Sequence, residues 1–285
     1  MKHIDLNTII EKIDGFSSLE FIEQGGQKAV YRGKHESFGD VVAKFIIQPN
    51  ERIRREIEIA VNYEIPNTAR LFSTQDFEYE GLNAICVIEE YVSGINLRKE
   101  IRKNGPLTLK KAICLIETLL ETAVSLESYK LVHRDIKPEN IMVCPDESFK
   151  LLDFGIARFL LKSSLTPNDT RYGPYSAGYA APEQFRNYKK EIDIRTDLFA
   201  IGIVAYEAIA GNHPFANGAS DSLEVQRRTE TIIPVSLLID GDKKRELDEF
   251  IAILMSKFPS RRPPTAAHAL EWFRAICLSL DIGKV

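Results

Sequence analysis

The chain has 285 residues, with 37 lysines and arginines against 41 aspartates and glutamates, for a formal net charge of −4. That length allows one or two domains with a large core, and without a long basic run there is no footprint for nucleic acid or an anionic membrane, so neither partner is expected. Four scattered cysteines (Cys86, Cys114, Cys144, Cys277) in apolar surroundings predict buried, reduced thiols, and the lack of an apolar leader or a long uncharged apolar run predicts a soluble, cytoplasmic protein without a membrane span.

Ile4, Leu6, Ile9, Ile10 and Ile13 give residues 4–13 the spacing of a short helical extension, suited to packing or docking. From Leu19 to Ile47, alternating β-branched runs broken at Gly25-Gly26 and at Ser37-Phe38-Gly39-Asp40 predict strands. Residues 50–62 carry Ile53, Ile57, Ala60 and Val61 at helical spacing, and residues 70–77 and 84–91 read as two further strands. The N-terminal part is therefore expected to be a five-stranded antiparallel sheet with one helix.

Val92-Ser93-Gly94 ends the last of these strands and leads into a mainly helical part. A helix over 107–129 is expected to bury Ile113, Ile116, Leu119, Leu120, Ala123 and Leu126. Ile141-Met142-Val143 and Lys150-Leu151-Leu152 form a short hairpin. Residues 195–211 are nearly all apolar after Asp197, as suits a helix buried on every side. Residues 242–257 and 264–280 supply the last helices.

The chemistry concentrates in His133-Arg134-Asp135-Ile136-Lys137-Pro138-Glu139-Asn140 and, downstream, Asp153-Phe154-Gly155. These stretches set an acid, a lysine, an amide and a second acid close together in sequence. Moving a phosphoryl group from a magnesium nucleotide to a hydroxyl needs such groups, because the protein must hold metal, orient the acceptor and neutralise spreading charge. Asp135 would accept the hydrogen bond of the acceptor hydroxyl. Asn140 and Asp153 would offer hard oxygen ligands to Mg2+.

These residues resemble the catalytic and metal-binding loops of the eukaryotic-type (Hanks-type) Ser/Thr protein kinases, and the similarity runs in the family's order over roughly residues 20–275. Val42-Ala43-Lys44 resembles the third-strand lysine motif. Arg54-Arg55-Glu56-Ile57-Glu58-Ile59 resembles the regulatory helix, with Glu56 as the partner of Lys44 and Glu58 as the alternative. Glu56 is preferred because it stands ten residues before Pro66 of Ile65-Pro66-Asn67, which sits where the family often has His-Pro-Asn. Ala180-Ala181-Pro182-Glu183 resembles the end of the activation segment, and Asp197 the buried aspartate beneath the catalytic loop. Arg262 would pair with Glu183.

The resemblance implies an α+β, two-lobed fold: a small antiparallel-sheet lobe plus one helix, and a larger mainly helical lobe. Its parts would be an extension over 1–17, a small lobe over 18–92 and a large lobe over 93–285, with one catalytic domain over 18–280. It implies a Ser/Thr protein kinase that passes the γ-phosphate of ATP to protein hydroxyls with Mg2+, or Mn2+ in its place. Asp135 would be the base, and Lys44 would reach the α- and β-phosphates. Lys137 would stabilise the transferring phosphate and favours serine or threonine acceptors. Val30, Ala43 and Met142 would enclose the adenine, with Glu90 and Val92 at the hinge. The short span from Lys44 to Glu56 and the Gly-Gly-Gln-Lys loop resemble bacterial members.

Two features depart from the family pattern. Of the three loop glycines only Gly25 is kept, with Gly26 added beside it, and Glu23 and Lys28 at the other two places. Alone, Gly25-Gly26 reads as a hairpin turn. Ahead of Lys44 it reads as a cover for phosphates, which Lys28 would touch as a point charge. Glu89 stands at the gatekeeper position, where an ionised carboxylate is costly unless paired. Its partner is either Lys44, which sets Glu89 against Glu56, or a backbone amide or water.

Control is expected through the activation segment, 153–183. Arg134 would pair with a phosphate there, Thr166 and Thr170 are the sites suited to self-phosphorylation, and Ser176 would contact Asp135 and Lys137. Two other readings stand beside the kinase: a nucleotide-binding scaffold of the pseudokinase type, and a kinase of a non-protein acceptor.

Overall fold

The computed structural model describes residues 10–25, 28–49, 51, 54, 57, 61–152, 178–186, 192–232, 234 and 236–280. The described chain falls into two units, one within residues 1–64 and 69–92 and the other comprising 65–68 and the residues from Ser93 onward.

The alternating segments of the first unit form β1 (Phe16–Gly25), β2 (Lys28–His35), β3 (Gly39–Ile47), β4 (Leu71–Tyr79) and β5 (Leu82–Glu90). They make one antiparallel sheet in the order β1-β2-β3-β5-β4. Because side chains alternate along a strand, the sheet has two different faces. One carries Ala29, Tyr31, Val41, Ala43, Phe45, Cys86 and Ile88, closed by Ile13 from the N-terminal extension. The other carries Ile46, Ile85 and Val87 and is covered by Ile57. Glu51, Arg54, Ile57 and Val61 are helical, as the spacing over 50–62 predicts. The central strands β3 and β5 are covered on both faces, which explains their nearly continuous burial. β1 starts at Phe16, earlier than expected, and the Phe16 ring sits edge-on to His35 with centroids 5.0 Å apart.

The second unit holds β6 (Ile95–Asn96), β7 (Ile141–Val143) and β8 (Phe149–Leu151) in a small antiparallel sheet. Its helices are α1 (Leu97–Asn104), α2 (Leu109–Ser128), α3 (Pro182–Phe185), α4 (Ile194–Ala210), α5 (Ser222–Thr231), α6 (Glu246–Leu254) and α7 (Ala266–Cys277). Gly94 has φ +135°, and an added Cβ would lie 2.1 Å from the Val143 carbonyl oxygen, so the approach of this segment to β7 requires glycine. α4 is the central rod: Asp193 caps its first turn, Gly211 ends it in the left-handed conformation, and its side chains are buried all round. At Gly202 an added Cβ would meet Leu254 Cβ at 2.8 Å, so α6 packs directly on the α4 backbone.

Ile65–Thr68 belongs to this second unit. Ile65 is part of its core, Leu151 N–H donates to the Asn67 carbonyl at 2.8 Å, and Thr122 Oγ1 donates to the Pro66 carbonyl at 3.3 Å. The expected boundary at residue 93 is thus crossed by a four-residue piece of the N-terminal part.

Two expectations need correction. All four cysteines are free thiols, but only Cys86 is buried, while Cys144 and Cys277 are half-buried and Cys114 is exposed. Cys114 lies two residues from buried Ala112 on α2, nearly opposite it on a helix of 3.6 residues per turn. The same helix buries Ala112 and Leu115 and leaves Ile113 at the edge of its core. Among the described residues no helix is long and apolar enough to cross a membrane.

Candidate active site

Asp197, in the first turn of α4, is fully buried and carries the loop before β7. Its carboxylate accepts the backbone N–H groups of His133 (2.7 Å) and Arg134 (2.8 Å). Those bonds hold Arg134 at φ 67°, a left-handed conformation that a non-glycine residue adopts only when its surroundings dictate it. Burial is the main influence on Asp197 and raises its pKa, against the pull of His133 and the two amides. The His133 ring ties the loop at both ends: Nδ1 accepts the Asp135 N–H (3.3 Å), so Nε2 donates to the Leu152 carbonyl (3.2 Å).

On this support three of the sequence-predicted groups converge. Lys137 Nζ lies 3.1 Å from Asp135 Oδ1 and 2.9 Å from Oδ2. Asn140, at the end of a short 3-10 turn (Pro138–Asn140), donates Nδ2 to the Asp135 carbonyl (2.9 Å) and to Asp135 Oδ2 (2.8 Å). Those two bonds fix the amide orientation and leave Asn140 Oδ1 as its oxygen donor. A neutral, pre-oriented oxygen beside a carboxylate suits Mg2+, which takes few protein ligands and prefers hard oxygen. The other expected ligand, Asp153, lies outside the described residues, as does the activation segment through residue 177.

The first unit holds the other half of the expected set. Lys44 on β3 is buried, and its Nζ donates to Glu89 Oε2 on β5. Lys44 faces Val87 across the β3–β5 ladder and Glu89 faces Val42, so the ion pair runs diagonally on one sheet face. Val30 pairs with Lys44 across the β2–β3 ladder and shares that face. Ala43 does not. It points to the opposite face and packs with Tyr31 and Phe45, and Val42 stands beside Lys44 instead. The period of two along a strand was the available signal.

Gly25 and Lys28 are the terminal partners of the β1–β2 ladder; Gly26 lies outside the described residues, as does Glu56. Glu90 Oε2 accepts the Arg70 N–H at 3.2 Å, and Val92 is buried. Met142, on β7 of the second unit, is half-buried.

Two buried ionic clusters brace the second unit. Arg262 donates to both oxygens of Glu183, at 2.6 and 3.1 Å, as the sequence predicts. Arg98 on α1 was not foreseen. It donates to Glu139 of the 133–140 loop at 2.8 Å, and also to Glu207 on α4 and to the Tyr179 hydroxyl, which itself donates to Glu207. The legible signal was Glu207, an isolated carboxylate in an apolar helix. Burial raises the Tyr179 pKa, reinforced by Glu207.

His213 packs edge-on against Tyr179 at 4.8 Å, and burial, then Arg98, lowers its pKa to about 3 from 6.5. The folded protein therefore keeps His213 neutral where the unfolded chain takes up a proton. Acidification from about pH 7 to about pH 5 should remove about 2 kcal/mol of stability through this residue. His213→Leu should flatten that part of the pH–stability curve in urea titrations; an unaltered slope would assign the acid sensitivity elsewhere.

Residues 16–273 match the family model described as the protein kinase domain. The serine/threonine-protein kinase PknB of Mycobacterium tuberculosis is 32% identical over 216 residues, 76% of this chain and 34% of that protein. A probable serine/threonine-protein kinase PknB of Lactococcus lactis is 30% identical over 228 residues, 77% of this chain and 35% of its own length. The probable serine/threonine-protein kinase CE0033 of Corynebacterium efficiens is 30% identical over 257 residues, covering 86% of this chain and 39% of the relative. The chain thus spans roughly a third of the length of these bacterial relatives. With the 133–140 loop hung on Asp197, the five-stranded sheet bearing Lys44 and the mainly helical second unit, these matches place the chain in the protein kinase family.

Proposed function

We propose that this chain is a serine/threonine protein kinase that passes the γ-phosphate of ATP to protein hydroxyls. The observation that carries this reading is the Asp135–Lys137–Asn140 cluster, closed by direct contacts and suspended from buried Asp197. Asp135 accepts the proton of the attacking hydroxyl and Lys137 neutralises charge on the group in transit. Lys44 binds nucleotide phosphates, with Glu56 as its helix-borne partner, and Gly25, Gly26 and Lys28 cover them. Val30, Met142 and Val42, in place of Ala43, contact the adenine, whose edge meets the segment from Glu90 to Val92. Asn140 and Asp153 hold Mg2+ or Mn2+, which supplies charge neutralisation on the phosphates. Cytoplasmic location, acceptors on other proteins and self-phosphorylation at Thr166 or Thr170 belong to the same proposal.

The test is transfer from labelled ATP, with Mg2+, to the chain itself and to a generic basic protein, followed by identification of the phosphorylated amino acid. Phosphoserine or phosphothreonine is expected. Phosphotyrosine would overturn the acceptor class. An ATP-dependent rise in melting temperature without any transfer would replace the kinase with a nucleotide-binding scaffold.

A further inference from the structure

The Lys44–Glu89 pair is unusual in where its carboxylate comes from. Both residues belong to adjacent strands of one sheet, and their side chains are 9% and 7% exposed. Next to them that face carries the buried apolar cluster of Ile46, Ile85 and Val87 under Ile57. Taking a carboxylate and an ammonium out of water costs several kcal/mol per ion, and a well-packed apolar pair of similar size often serves stability as well or better. Stability alone therefore gives little reason for an acid at position 89.

Orientation gives a better one. A lysine ammonium rides on a flexible four-carbon stem and has no preferred direction of its own. A carboxylate two residues along the neighbouring strand is tied to Lys44 by the ladder from Val41↔Glu90 to Ile47↔Ala84. The anchor and the lysine thus keep their spacing whatever the helix bearing Glu56 does.

We propose that Glu89 is a positioning residue for Lys44: a sheet-borne carboxylate that aims the phosphate-binding ammonium independently of the helix glutamate. This rests on the reading of Lys44 as a nucleotide ligand. Removing the charge at position 89 leaves Lys44 cationic and less neutralised, so attraction for phosphate persists while its aim is lost. Turnover should suffer and nucleotide affinity should not.

The experiment compares wild type, Glu89→Gln, Glu89→Met, Glu56→Gln and Lys44→Met by steady-state transfer and by ATP-induced shifts in melting temperature. Glu89→Gln is expected to lower kcat roughly tenfold to a hundredfold, the size of effect that follows from misplacing a reacting group. Its KM for ATP should be no higher than that of wild type, and its ATP-induced melting shift should be larger, because the ammonium is less neutralised. Glu56→Gln should lose less than Glu89→Gln.

Wild-type kcat in Glu89→Gln would overturn the proposal. So would a parallel loss of kcat and ATP affinity with a lower melting temperature, repaired by Glu89→Met, which would show a packing role only. If the wild type transfers no phosphate, the kinase reading fails, and the melting shifts still decide this one. An ATP-induced shift in Glu89→Gln identical to that of wild type, while Lys44→Met abolishes it, would then leave Glu89 without influence on Lys44.

Discussion

Asp135→Ala is expected to lower kcat for phosphoryl transfer by about 10²–10⁴-fold, the usual contribution of a positioned general base. The loss should fall on chemistry and spare the fold. The loop is held by its backbone, through the His133 and Arg134 amides on Asp197, and by the His133 ring between Asp135 N–H and the Leu152 carbonyl. The Asp135 side chain meets Lys137, which is partly open to solvent, and buried Asn140, whose Nδ2 keeps its bond to the Asp135 carbonyl when the carboxylate is removed. Melting temperature and ATP affinity should therefore stay near wild type while kcat falls. A decrease below about tenfold at saturating ATP would remove Asp135 from the role of base.

Arg262→Met should destabilise the protein by about 3–5 kcal/mol, the range seen when one member of a buried ion pair is removed. The Arg262 side chain is 0% exposed. Besides Glu183 it satisfies the carbonyls of Ser256 at 2.8 Å and Arg195 at 2.9 Å, and its guanidinium lies 4.7 Å from the Phe199 ring centroid. Burial lowers its pKa, and the hydrogen bonds and charge of Glu183 work in the opposite direction. Methionine fills much of the volume but leaves Glu183 charged and buried, with only Thr196 Oγ1, at 2.9 Å, among these donors still bonded to it. Urea unfolding would measure the effect. Adding Glu183→Leu should restore part of the loss, because the orphaned charge disappears with it. A single-variant effect under about 1 kcal/mol would mean that water or a nearby cation replaces the guanidinium.

The elements that strand alternation and helical spacing could reveal were legible in the sequence: five strands, the long helix α2 and the apolar rod α4. The β6–α1 stretch was not. β6 is two residues long and α1 only eight, too few to show a period, and both depend on Asn96, whose side chain caps α1 by accepting the Lys99 N–H at 2.9 Å. Lys44, Asp135, Lys137 and Asn140 could be proposed from the order of motifs because each sits in a contiguous signature, and the last three are in contact.

The Arg98 cluster, joined only by tertiary packing and matched by no motif, was out of reach. Arg98 meets Glu207 across 109 positions and Tyr179 across 81, and no local pattern encodes such a meeting. Val42 was a different case. The strand period puts residues 42 and 44 on one face, so Ala43 was excluded by information already present.

The strip Ile65–Thr68 limits how this protein can be taken apart. A fragment begun at Ser93 follows the boundary the sequence suggests, yet it lacks a side chain of its own core at Ile65. It also lacks the acceptor for the Leu151 amide, on the strand that leads toward Asp153. The complementary fragment, ending at Val92, would carry those four residues with nothing to dock against. Neither piece is a self-sufficient module, and exchanging the N-terminal sheet for that of a relative would transplant part of the other unit's interior with it.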